Sequence, residues 1–227
     1  TEAFSLATMP SRNVTAYGKY IPNSDTPYRV MHYQQNLTLN GYDLVEADDL
    51  TGVTDTQTNA IAKSYTGFTA KAFEQDIISG DGSTVIRIEY DRNIYNVNLD
   101  TSGGSINSVG ITSYVYGIGV QLPADITRAG YIFDGWFDSE GSQVTSISAS
   151  ETGNKSFTAR WWPAHNTRYT VKHLREDLYG NYTIEEIEVK YGTTDTPTAA
   201  TEKSYEGFTL YFFNNPMGIG FPRIHNS

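Results

Sequence analysis

The chain repeats itself, and that constrains its fold more than any other feature. The stretch Tyr28-Arg-Val-Met-His32 returns as Tyr169-Thr-Val-Lys-His173. Ser64, Tyr65, Gly67 and Phe68 return as Ser204, Tyr205, Gly207 and Phe208, at an interval shortened by one residue lost between the two blocks. Asn13 to Tyr20 stands before the first copy as Asn154 to Trp161 stands before the second, at the unshortened interval. A long fixed period implies several small units, each burying its own core, rather than one large core across the chain. The expected order is residues 1–21 as the last strand of a B-type repeat, 28–92 as a repeat of type A and 93–162 as a complete B. Residues 169–213 follow as an incomplete second A, and 214–227 as an atypical tail foreign to the pattern.

Within A, Tyr28 to Tyr33 and Tyr42 to Glu46 flank Asn40-Gly41, a pair suited to a type I′ hairpin turn because both residues tolerate positive φ. A Thr-rich crossover follows, with a short helix expected over Asn59 to Lys63, and Gly67-Phe68 enters a further strand. Thr84 to Tyr90 then alternates with period two. Within B, strands are expected at Ile94 to Leu99 and Ser156 to Trp161, around a core of Tyr131, Phe133, Trp136, Phe157 and Trp161. Two hairpin halves joined by a helical crossover give the expected fold class: α+β, strand-dominated, as tandem β-grasp-like modules in an extended array, with a purely β sandwich or barrel as the competing reading.

The series Tyr116-Gly117, Leu122-Pro123, Gly130 to Trp136, Gly141 and Thr158 to Trp161 resembles the Listeria-Bacteroides repeat, a β-grasp-like unit also found in internalin-type surface proteins. Module A resembles the mucin-binding-protein type of repeat through Tyr-x-Val-x-His, Ser-Tyr-x-Gly-Phe and Ile88 to Asp91. The resemblance implies a secreted Gram-positive surface protein, extracellular and attached to the cell wall through parts outside this stretch. It implies a stalk or spacer in adhesion, with recognition of mucin glycans or a host surface protein as the alternative.

Composition narrows the chemistry. Sixteen Lys and Arg against twenty-six Asp and Glu leave a net charge of −10, which repels nucleic-acid backbones and anionic membranes. Zero Cys removes disulfides, thiolate metal sites and thiol catalysis. No apolar run is long enough for membrane insertion, and any targeting signal is expected upstream. The expected partners are neighbouring repeats of the same protein, and no cofactor is expected.

Individual sites read mostly as structural. His32 and His173 could be ligands or acid–base groups, but a repeated module repeats its histidine anyway. Asp134, Asp138 and Glu140 lack the sixth-position Gly and twelfth-position acid of a calcium loop. Asp100 to Gly104 reads as a Gly-rich turn. Asn13, Asn36, Asn154 and Asn181 begin sequons that carry no meaning under a bacterial origin. Lys–Asn cross-linking beside a carboxylate has its residue types here, but sequence cannot place them together. Among the aromatics, Trp162 beside Pro163 is the candidate for an exposed sugar-stacking face. No spaced nucleophile, base and orienting group appears, so no enzyme is expected.

Overall fold

The computed structural model describes residues 11, 13, 15 and 17–210. Its strands are β1 (Thr26–Gln35), β2 (Tyr42–Gly52), β3 (Phe68–Ala70), β4 (Val85–Arg92), β5 (Ile94–Asp100), β6 (Ser105–Ile106), β7 (Ser113–Val115), β8 (Val120–Gln121), β9 (Ile126–Thr127), β10 (Tyr131–Phe137), β11 (Gln143–Val144), β12 (Ser146–Ile147), β13 (Lys155–Pro163), β14 (Thr167–Glu176) and β15 (Tyr182–Gly192). There is no helix among the described residues, so the fold is all-β and the α+β, β-grasp-like expectation is wrong.

The reason lies in the crossover between β2 and β3. A helix over Asn59 to Lys63 would need its backbone groups for its own turns, and five residues are too few to offset the cost of nucleation. Here those groups are taken by side chains. Ala60 N–H donates to Gln75 Oε1 and Ala60 O accepts from Gln75 Nε2, while the Lys63 N–H donates to the Tyr90 hydroxyl. The segment is held extended over the sheet with Ala60 buried beneath it.

The chain forms two compact units. The first takes the described residues through Val97 together with Thr112–Gln121 and Ser146–Lys155; the second takes Asn98–Ile111, Leu122–Thr145 and the described residues from Ser156 onward.

In the first unit the sheet order is β2-β1-β4-β3, with β1 antiparallel to β2 and parallel to β4. Alternation along β1 turns Tyr28, Val30 and His32 inward, against Ile86, Ile88 and Tyr90 of β4 and Ile78 from the preceding loop. The expected Asn40-Gly41 turn is a longer loop instead. Asn36 N–H donates to Gly41 O, Leu39 N–H donates to Asn36 O, and the positive φ falls on Leu39, at 60°. Across the short link after β4, Arg92 donates from Nε to Asn36 O and from Nη1 to Tyr116 O, and its guanidinium lies over the Phe68 ring. The Tyr116 ring fills the space over Gly67, where a Cβ would lie 2.2 Å from it.

The five-stranded sheet has the order β11-β10-β13-β5-β7. Trp136 on β10 is 3% exposed and donates from Nε1 to Pro123 O at 2.7 Å, and Phe157 is buried with it. Tyr131, Phe133 and Trp161, expected in the same core, are half-buried. In the second unit β14 and β15 pair in the same register as β1 and β2, including the irregularity after the histidine, but form a two-stranded sheet. Among the described residues β14 has no parallel partner, and there Tyr169, Val171 and His173 are half-buried. The turn after β15 meets the turn before β10: Thr194 Oγ1 donates to Gly130 O, and the Tyr131 hydroxyl donates to Asp195. The described residues among Asn13 to Tyr20 are in no strand, and the residue 214–227 tail lies outside the described residues.

Candidate functional site

The densest polar constellation among the described residues is built around His32, at 0% exposure. Its Nδ1 lies 2.8 Å from the Tyr90 hydroxyl and its Nε2 lies 3.3 Å from Asp48 Oδ2. The Tyr90 oxygen already accepts the Lys63 N–H at 2.8 Å, so its single hydroxyl proton is free to point at Nδ1. In the neutral ring this arrangement puts the proton on Nε2, facing Asp48, and each donor of the Lys63–Tyr90–His32–Asp48 series then has an acceptor.

Lys63 Nζ sits 2.6 Å from both Glu46 Oε1 and Asp48 Oδ1, and Tyr65 donates to the other Glu46 oxygen at 2.8 Å. Donating to Asp48 and Glu46 raises the Lys63 pKa, and Lys63 in turn lowers both carboxylates. Burial, then Glu46, raises Tyr65. The constellation recurs in the second copy. His173 Nε2 lies 3.0 Å from Glu188 Oε1, Lys203 Nζ bridges Glu186 and Glu188, and Tyr205 donates to Glu186. Lys203 and Lys190 together hold Glu188 down at about 2.

A lysine held more firmly protonated is a poor nucleophile, and carboxylates held ionised are poor general acids. The hydrogen bonds of the His32 constellation tie β1, β2, β4 and the crossover together as a strut. Sequence reasoning found the two histidines but missed Lys63, Glu46 and Asp48. The signal was there, since Lys203, Glu186 and Glu188 occupy the corresponding places in the second copy.

The remaining sequence candidates scatter. Asp138 accepts the Glu140 and Ser142 N–H groups within a tight turn. Asp100 accepts the Ser102 N–H in the Gly-rich turn. The Asn154 side chain accepts the Asn96 N–H. Lys63, Lys71 and Lys155 each face carboxylates, and no described lysine lies against an asparagine in a cross-linking arrangement. Trp162 is 60% exposed, next to its cross-strand neighbour Ile132, which is also exposed. It borders an open depression of about 400 Å³ lined by Ser102, Arg128, Asp134, Arg160 and Trp161. Trp161 beside it is pinned by its Nε1 donating to Thr101 O.

The ordered aromatics, the Trp136 core and the Gly turns at 117, 130 and 141 lie on β10, β13 and the loops that serve them. Residues 95–160 match the Listeria-Bacteroides repeat domain. Two proteins of Evansella cellulosilytica are similar to more than half of the chain. One, provisionally named a membrane protein, is 29% identical over 128 residues, 55% of this chain and 18% of its own length. The other, provisionally named a Gly-rich membrane protein, is 23% identical over 134 residues, 59% of this chain and 15% of its own length. The chain thus spans less than a fifth of these relatives. No helix among its described residues is long and apolar enough to cross a membrane.

Proposed function

We propose that this chain is a non-catalytic repeat segment of a bacterial cell-surface protein, serving as a spacer in adhesion and flanked by further repeats of its own kind. The observation that carries the reading is the recurrence of the His–carboxylate–lysine–carboxylate–tyrosine strut in both copies. This polar group, with its carboxylates and lysine, is spent on holding strands together. Alternation of mucin-binding-like A repeats with the Listeria-Bacteroides repeat, and attachment to the cell wall, belong to the same proposal. Relatives named as membrane proteins, of which this chain matches a small part, are consistent with it.

A second reading has its own support. The exposed Trp162 with Arg160 and Asp134 at the edge of a depression is a chemistry that stacks on and hydrogen-bonds to sugars. Mucin-type glycans arrayed against the purified chain separate the two. The spacer reading expects no binding above background, whereas saturable binding that Trp162→Ala abolishes would establish the recognition reading.

A further inference from the structure

A spacer transmits pull, and the strand order says how this one would bear it. The first and last strands of the first four-stranded sheet, β1 and β4, are neighbours and run parallel, paired from Arg29↔Val85 to Gln34↔Tyr90. The chain enters β1 at Thr26 and leaves β4 at Arg92, the opposite ends of that ladder, and continues into β5 at Ile94. Tension along the chain therefore loads the evenly spaced bonds of the parallel ladder together, in shear, instead of opening them one after another. Both strands are also internal to the sheet. β2 covers the free edge of β1 and β3 covers that of β4, while Val30, His32, Ile86, Ile88 and Tyr90 close the inner face. Water has poor access to bonds so enclosed.

The same device recurs in the five-stranded sheet. β5 and β13 open and close the 93–162 segment and are neighbours between β10 and β7. The Asn96 N–H donates to Asn154, immediately before β13, and Asn98 Nδ2 donates to Ser156 within it, so the two strands advance in the same sense.

We propose that β1/β4 and β5/β13 are shear clamps, so that each repeat is mechanically strong along the direction in which the chain is pulled. This rests on the spacer reading, because only a tether carries such a load. Forced unfolding reports the unfolding rate under load rather than equilibrium stability, so the clamp is tested by changing the direction of pull in one protein.

The chain has no Cys, so paired cysteine handles are unique. Asp25→Cys with Ile94→Cys pulls the ladder in shear, and Asp25→Cys with Val85→Cys peels it from one end; all three positions are exposed. In single-molecule pulling at equal loading rate, the shear pair should unfold at a several-fold higher force than the peeling pair, with matching urea midpoints confirming that both variants are folded. Equal forces in the two directions would overturn the clamp. They would leave the spacer reading to the binding and exchange experiments, which do not depend on pulling direction.

Discussion

Leu39 sits at φ 60°, a left-handed conformation that costs a residue bearing a Cβ roughly 1–2 kcal/mol. At the corresponding place in the second copy the chain has Gly180, at φ 81°. Leu39→Gly should therefore stabilise the first sheet by about 1 kcal/mol, part of the relieved strain being offset by the added freedom of glycine in the unfolded chain, as read from the urea midpoint. Reading Asn40-Gly41 as the turn failed here because the familiar turn pair lies one step past the residue that adopts the positive angle. The acidic groups give a second expectation. Hydrogen bonds from Lys63 lower Asp48 and Glu46, Lys203 and Lys190 hold Glu188 at about 2, and the Ser83 and Ser79 side chains hold Asp81 at about 2. A depressed folded-state pKa contributes stability that is present above the unfolded value near 4 and is lost as the pH falls toward the folded value. Unfolding midpoints should thus fall between about pH 4 and 2, and Lys63→Met should shrink that fall.

Among the elements, the strands were the most legible. β1, β2, β4, β5 and β13 follow from alternation, and Trp136 is the buried centre that the spaced aromatics implied. The crossover was not legible. Asn59 to Lys63 has helix-tolerant residues, but Gln75 and Tyr90, distant in sequence, claim its backbone groups. Lys63 was hidden for a similar reason, since its partners Glu46 and Asp48 lie on another strand and no local spacing marks the set. Gly67 and Gly207 offer a test of the packing around the first copy. Both have positive φ, at 77° and 81°, but Gly67 faces the Tyr116 ring at 2.2 Å from a built Cβ whereas Gly207 has nothing within 4 Å. Gly207→Ala should cost only the backbone strain, about 1 kcal/mol, and Gly67→Ala should cost that and more, since the ring must move. Equal losses in urea unfolding would show that the Tyr116 contact contributes nothing.

At the scale of the molecule, the repetition read from the sequence reappears as matching strand pairs, β1 with β2 and β14 with β15, each carrying the same polar strut. Their polar residues are consumed in joining strands and turns, as with Arg92 across the link after β4 and Tyr131 with Asp195 at the turn before β10. The central claim is that length and strength, rather than recognition, are what these residues provide. Exchange of the segment within the full-length protein on its own bacterium tests this most directly. Residues 22–210 are replaced by an unrelated β-repeat spacer of equal end-to-end length, and attachment of the cells to a mucin-coated surface under flow is compared with the wild type and with a deletion of the same residues. The account predicts that the exchange retains wild-type attachment while the deletion loses it. An exchange variant that detaches as readily as the deletion would contradict the account, because it would place recognition within these residues.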